Sequence, residues 1–274
     1  MPANFAPEMV DVSPARPLAA YIGGKRLLAK RLSLLINDIP HTTYAEVFIG
    51  MGGPFFARTC KPQAEVINDL SEDVSTFFRV IQNHYVAFLD MIRFQISSRA
   101  GFEKLAAMEP SSLTDLQRSA RFLYLQRLTF GGKVTGRNFG VSPGSAARFD
   151  VTKLGPMIEA VHERLSSVVI ERMHWADFVA RYDREATLFY LDPPYFGSEG
   201  DYGRDLFDRG QFVKMADELA GIKGRFLLSI NDHPEVRRIF AAFTLEEVRT
   251  RYTIGGNATD KAKSVGELII TNPR

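Results

Sequence analysis

Tyr190-Leu191-Asp192-Pro193-Pro194-Tyr195-Phe196 concentrates groups that can act on an amino substrate. An apolar run, Ala186 to Leu191, precedes it and reads as a strand. Each proline fixes its own φ and pushes the residue before it out of helix, so a rigid extended turn is expected at the strand end. In open α/β sheets the carboxyl edge of the strands is where ligands bind. Asp192 would hold a carboxylate there. The Pro193 carbonyl, with no N–H on Pro194 to compete for it, is a second acceptor, and Tyr195 offers a flat face. Two acceptors and an aromatic plate suit a planar substrate with an exocyclic amino group. Taking up both N–H bonds points the nitrogen lone pair at an electrophile, a positioning and electrostatic effect. The plainer alternative is a proline-stiffened loop whose acid caps a helix.

A second constellation lies upstream. The strand-like Tyr44-Ala45-Glu46-Val47-Phe48-Ile49 runs into Gly50-Met51-Gly52-Gly53-Pro54. Glycines after a strand permit positive φ and close approach of a ligand. Asp69 stands 19 positions beyond Gly50, at the end of the next strand. An acid there accepts hydrogen bonds from ribose hydroxyls in nucleotide-binding α/β folds. The third glycine of the dinucleotide fingerprint is missing, so an adenosine-containing ligand without a pyrophosphate is expected. A tight strand-to-helix turn with an acid at a strand end would read the same way.

These sites need a sheet to position them. Strand, Gly-rich turn, helix and strand (Ala64 to Asp69) make a βαβ unit, so the sheet is predicted to be parallel. A helix is predicted from Lys25 to Ile36 and another from near Ser71. Val86 to Phe130 is helical with breaks near Ser97–Gly101 and Pro110, and 131–150 reads as a loop or hairpin. A helix near Val151–Leu165 follows. Strands are then expected at Ser167–Ile170, Ala186–Leu191, Arg225–Ile230 and Glu267–Thr271, with helices near Phe212–Ala220 and Pro234–Phe240. The predicted division is a flexible arm over 1–20, a catalytic body over 21–92 and 166–274, and a mostly helical insert over 93–165.

Composition excludes several classes. At 274 residues, 45% hydrophobic and 24% charged, the chain can build a real core and is not wholly disordered. Cys60 is the sole cysteine, which excludes an intrachain disulfide and a cysteine zinc site, and the five histidines show no HxxxH pairing, so no metal is expected. No apolar run reaches membrane-span length and the Pro-rich start has no signal pattern, so a cytoplasmic, non-membrane protein is expected. The net charge of +2 argues globally against a nucleic-acid binder.

The order of motifs resembles the Dam-type, group alpha, DNA adenine-N6 methyltransferases over almost the whole chain. Tyr21-Ile22-Gly23-Gly24-Lys25 looks like the N-terminal aromatic-x-Gly-Gly-Lys motif that covers S-adenosylmethionine, and Phe48-Ile49-Gly50-Met51-Gly52 like the FxGxG loop. Asp69 falls at the ribose acid, Asp177-Phe178 at the pair contacting the cofactor adenine, and Asp192-Pro193-Pro194-Tyr195 at the catalytic DPPY word. Leu228-Ser229-Ile230-Asn231-Asp232 is similar to the later strand-end motif. Val47, Leu70 and Ser71 depart from the usual neighbours of these motifs, and the recognition hairpin around Phe130-Gly131-Gly132 and Asn138-Phe139-Gly140-Val141 is shorter.

The resemblance implies a Rossmann-like α/β methyltransferase sheet carrying an inserted target-recognition domain. S-adenosylmethionine would be held by Tyr21, Gly24, Lys25, Phe48, Gly50, Gly52, Asp69, Asp177, Phe178 and Asp192, with Lys25 on its carboxylate, and would leave as S-adenosylhomocysteine. The target adenine, flipped from duplex DNA, would stack on Tyr195 and donate to Asp192 and the Pro193 carbonyl. Between Leu116 and Lys153 stand seven cations and a single acid, Asp150, a surplus of six that leaves the rest of the chain at −4. Such a basic insert suits phosphate contact. Arg118, Arg127, Lys133, Arg137, Asn138 and Arg148 are the candidate DNA residues, Arg137 and Asn138 for base edges. A cognate restriction enzyme is a possible second partner, and a monomer is the favoured state. Cytosine-N4 or RNA adenine methylation, a catalytically silent DNA-recognition protein and a nicotinamide dehydrogenase are the rival readings.

Overall fold

The computed structural model describes residues 8–25, 27–140, 144, 146–202, 207–252 and 263–273. Its centre is a sheet of seven strands. β2 (Thr43–Glu46), β4 (Ala64–Asn68), β5 (Val169–Glu171), β6 (Thr187–Leu191) and β7 (Arg225–Asn231) run parallel; β1 (Val10–Asp11) and β3 (Cys60–Lys61) form a separate antiparallel pair. β8 (Thr244–Tyr252) and β9 (Lys263–Thr271) complete the sheet in the order β5-β4-β2-β6-β7-β9-β8, with β9 antiparallel to both neighbours. The order reverses between β2 and β6. That is the switch point where a crevice opens beyond the strand ends, and the Gly-rich turn and the DPPY word leave these two strands.

Both faces of the sheet are covered, so central strands read as continuous apolar runs, as parallel strands should. All five residues of β6 are buried. Alternation sends Tyr44, Ile67, Leu188, Tyr190, Leu227 and Ile269 to one face. There they meet α1 (Ala29–Asp38), α2 (Gly53–Ala57), α3 (Glu72–Ile92), α4 (Arg99–Ala107), α5 (Asp115–Leu128) and α6 (Val151–Leu165). Ala45, Val66, Phe189, Leu228 and Ile270 face the other way, towards α7 (Trp175–Tyr182), α8 (Gly210–Gly221) and α9 (Pro234–Ile239). The expected Rossmann-like α/β class is therefore observed, and α6 has the predicted bounds.

Three expectations change. α1 starts at Ala29 rather than Lys25, because Lys25 is drawn into the site described below. Residues 8–20 of the supposed flexible arm are packed: β1 pairs with β3, and Ala15, Leu18 and Ala19 are buried in the core. Finally, the segment 93–165 shares its core with the sheet. Phe122 of α5 lies 5.5 Å from Phe77 of α3, and Leu154, Ile158 and Val161 of α6 join the same cluster. β8 escaped the sequence reading because Thr-Leu-Glu-Glu-Val-Arg-Thr-Arg-Tyr is an edge strand whose charges mask its alternation.

Candidate active site

The turn after β2 bends at two left-handed glycines, Gly50 (φ +49°) and Gly52 (φ +75°). Gly52 admits no side chain, since a Cβ would lie 2.4 Å from the Phe56 ring. Tyr21 packs against Gly50, where a Cβ would lie 3.0 Å from its ring. Asp69 closes the turn. Its Oδ2 accepts from the Gly50 N–H and its Oδ1 from the Ser71 N–H, each at 2.9 Å. Burial pushes the Asp69 carboxyl up to about 6, against the lowering effect of those two bonds. Asp69 thus shapes the turn and also borders the cavity.

That cavity, about 1010 Å³, is bordered by Tyr21, Gly24, Lys25, Phe48, Gly50, Asp69, Asp192 and Pro194. Its size suits a small-molecule ligand. Motifs far apart in sequence thus meet on one opening, with the Gly-rich turn and Asp192 both on its wall. Gly52 shapes the turn from behind. Asp177 and Phe178 do not border the cavity. Phe178 is fully buried beneath the sheet, 4.9 Å from Tyr182, and Asp177 is exposed in the first turn of α7. Helical periodicity explains this placement: α7 is strongly amphipathic, and its apolar side must meet the sheet.

Around Asp192 lies a buried polar cluster. Lys25 Nζ donates to Asp192 Oδ1 at 2.5 Å and to the Gly23 carbonyl at 3.2 Å, and sits 4.3 Å from the Tyr195 ring centre. Glu267 Oε2 lies 3.9 Å from the same ammonium, and the Tyr195 hydroxyl donates to Glu267 Oε1. Ser229 donates to Asp192 at 3.4 Å and shares a 2.8 Å hydrogen bond with Tyr190. Burial pushes the Asp192 carboxyl up to about 6; Lys25 opposes the rise and Glu267 adds to it. Asn231 fixes the turn beyond the prolines by accepting from the Phe196 N–H (2.9 Å) and donating to its carbonyl (3.1 Å). Pro193 is buried and does not border the cavity.

Glu46 and Glu267 belong to none of the motifs above, and Ser229 lies within the strand-end motif. They line up with Tyr190 and Asp192 on one face, towards the carboxyl edge of the parallel strands, on four neighbouring strands, β2, β6, β7 and β9. The signal was present: an acid at an inward position of an apolar strand, as in Tyr44-Ala45-Glu46-Val47 or Glu267-Leu268-Ile269-Ile270. Glu46 is buried, accepts from the Tyr44 hydroxyl at 2.6 Å, and is pushed up to about 8, chiefly by burial. Between its ordinary value of 4.5 and about 8, the folded state holds a proton that the unfolded chain has released. Stability attributable to this group therefore falls as pH rises through that window. Glu46→Gln is expected to raise the melting temperature more at about pH 8.5 than at about pH 5; an equal effect at both would refute this assignment.

The recognition hairpin is present in outline. Thr129 bridges to Phe139, the Phe130 N–H donates to the Asn138 carbonyl at 3.1 Å, and the Gly140 N–H to the Leu128 carbonyl at 2.7 Å. Its base is fastened to the Tyr21 loop: the Ile22 N–H donates to the Gly132 carbonyl at 3.0 Å, and Gln126 Nε2 bridges the Ala20 and Gly132 carbonyls. Val141 of the quoted hairpin motif lies outside the described residues.

The basic segment is less free than its charge count suggests. Arg118 pairs with Asp73 (2.6 Å) and Glu72 (3.0 Å) of α3. Arg127 donates to the Leu18 and Arg148 carbonyls and so ties the N-terminal segment down. Arg137 is half-buried and donates to the Lys133 carbonyl and Gln126 Oε1. Lys133, Asn138 and Arg148 remain exposed, Arg148 while donating to the Gly140 carbonyl.

The D12 class N6 adenine-specific DNA methyltransferase family matches residues 21–254, from the Tyr21 loop through β8. The chain belongs to that family. The activity that goes with membership is methylation of adenine N6 in DNA. Type II methyltransferase M.CviBI of Paramecium bursaria Chlorella virus NC1A is 22% identical over 264 residues, spanning 94% of this chain and 99% of its own. Among solved structures, the putative methyltransferase yhhF from Escherichia coli aligns over 97% of this chain and 92% of that one, with a TM-score of 0.38 and 10% identity. Among the described residues, no group of three His, Cys, Asp or Glu could hold a metal ion, and no helix of this D12-class chain is long and apolar enough to cross a membrane.

Proposed function

We propose that the Asp192-Pro193-Pro194-Tyr195 turn, whose Asp192 and Pro194 border the cavity, accepts the adenine and that the other end of the cavity takes S-adenosylmethionine. The observation that carries this reading is the continuity of the cavity from the Phe48–Gly50 turn and Asp69 to Asp192. The residues fit the group. The left-handed Gly50 brings the turn's backbone to the cavity wall, and Asp69 offers ribose hydroxyls an acceptor there. Tyr21, packed against Gly50, adds an aromatic ring to the same wall. S-adenosylmethionine, when bound, supplies an electrophilic methyl group on sulfonium sulfur. Asp192 and the Pro193 carbonyl accept the two N–H bonds of the adenine amino group, and Tyr195 stacks on the ring. The base must leave the duplex to reach them. Incubation with DNA and methyl-labelled S-adenosylmethionine should give N6-methyladenine on nucleoside analysis; N4-methylcytosine or no product would sink the reading.

Duplex DNA would lie across the hairpin within 93–165, the proposed target-recognition part, with Lys133 and Arg148 on phosphates and Asn138 near base edges. The exposure of these three side chains, on a hairpin whose base is fastened to the Tyr21 loop through Gly132, supports this. Lys133→Ala is expected to weaken DNA binding evenly across sequences and to reduce the salt slope by about 1, with cofactor affinity unchanged. Binding isotherms over a salt series check this, and an unchanged slope would remove Lys133 from the interface. The type II designation of the viral relative supports a cognate restriction enzyme as a functional partner.

A further inference from the structure

Glu267, like Glu46, belongs to the Asp192 cluster but to none of the sequence motifs. It is fully buried on β9, opposite Asn231 of β7 and Val248 of β8. Because β9 runs against the parallel strands, its first half reaches the carboxyl edge where Asp192 sits. A buried carboxylate beside Leu268 is costly unless polar partners meet it. The Tyr195 hydroxyl donates to one oxygen, and Lys25 Nζ lies 3.9 Å from the other.

Lys25 is shared. Its ammonium donates to Asp192 Oδ1 at 2.5 Å and lies 4.3 Å from the centre of the Tyr195 ring. Those are the acceptor and the aromatic plate that the target amino group and base require. A carboxylate can accept from two donors, but an ammonium 4.3 Å from the ring centre stands where a base stacked on that face would lie, so seating the base there moves Lys25. Glu267 Oε2 already lies 3.9 Å from the ammonium, and a shift of about 1 Å brings Nζ within ordinary hydrogen-bond distance.

We propose that Glu267 is a positioning residue for adenine methylation, fixing the Tyr195 ring through its hydroxyl and taking the Lys25 ammonium when the seated target base displaces it. This rests on the reading of Asp192–Tyr195 as the adenine-accepting turn. The exchange is non-covalent. A counter-ion that merely neutralised Lys25 would influence stability alone.

Glu267→Gln keeps the volume and an acceptor for Tyr195 while removing the charge. The expected result is a fall in kcat/KM for DNA of about 10–100-fold, with cofactor affinity by calorimetry within about twofold of wild type. The groups facing Asp192 are Lys25 from the loop before α1, Glu46 from β2, Tyr190 from β6, Tyr195 from the turn and Glu267 from β9. Removing the Glu267 charge should therefore move the acid limb of kcat to lower pH. Tyr195→Phe removes the hydroxyl alone, and its effect should combine with Glu267→Gln to less than the product of the two. An unchanged kcat/KM and acid limb in Glu267→Gln would overturn the proposal, as would multiplicative behaviour of the pair. Should Glu267→Gln fail to fold, Tyr195→Phe decides: a raised KM for DNA at unchanged cofactor affinity supports the proposal, and unchanged kinetics overturn it. Failure of the wild-type protein to methylate adenine would sink the underlying reading and this proposal with it, whereas an active wild type with an indifferent Glu267→Gln sinks only the proposal.

Discussion

Asp192→Asn is expected to lower methyl transfer to DNA on the order of 10²–10³-fold, the loss typical of removing one aligned polar group from a preorganised site. The substitution preserves volume but exchanges an anionic acceptor for an amide. It no longer draws both the charge and a hydrogen of the amino group towards itself. Lys25 retains Glu267 as a counter-ion 3.9 Å away, so the fold should survive, and melting curves check that. Cofactor affinity should change little, because Asp69 and the Gly-rich turn remain. The pH profile supplies a second readout. Burial holds Asp192 at about 6, so wild-type kcat should rise with pH through that value as the acceptor ionises, then level off. In Asp192→Asn that limb should vanish. A variant with wild-type rate and an intact limb would exclude Asp192 from the chemistry.

Legibility in the sequence followed the strength of local constraint. The Asp192–Tyr195 turn and the Gly50–Gly52 turn were readable because proline and glycine dictate backbone geometry wherever they occur. α6 was readable from its periodicity, and the parallel strands from their apolar runs. What escaped reading depends on who meets whom across the fold. The charge count of 116–153 is a property of sequence, but its availability is a property of packing. Arg118 is paired with Glu72 and Asp73, some 45 residues upstream, and the donors of Arg127 are taken up by carbonyls on both sides of the chain, which leave its charge in place. Lys25, which the resemblance places on a cofactor carboxylate, is held in the structure by Asp192, 167 positions away. Asp177-Phe178 matched a motif by type and order, while the amphipathic turn of α7 places Phe178 in the core. Glu267 became visible only once β9 was seen to run backwards between β7 and β8.

The same contrast sets the largest expected effect on stability. Glu65, at the second position of β4, is buried between two guanidinium groups. Arg58 Nη1 donates to its Oε1 at 2.8 Å, and Arg164 grips both oxygens at 2.6 and 2.7 Å. Arg58 also lies 4.1 Å from the Tyr44 ring centre, and Arg164 4.1 Å from that of Phe55. Arg164 stands near the end of α6, so this triad fastens the last helix of the 93–165 segment to the sheet near the amino ends of β2 and β4. Glu65→Ala leaves two buried cations facing each other without an anion. Breaking a buried pair in this way costs about 3–5 kcal/mol, a large share of the 5–15 kcal/mol that holds a typical domain together. Denaturant unfolding should show that loss. Replacing all three residues with apolar ones of similar volume should recover much of it, because the penalty comes from the orphaned charges and not from any large net gain of the intact triad. A loss below about 1 kcal/mol for Glu65→Ala would mean that water reaches the guanidinium groups and that the triad is not the dry anchor its geometry describes.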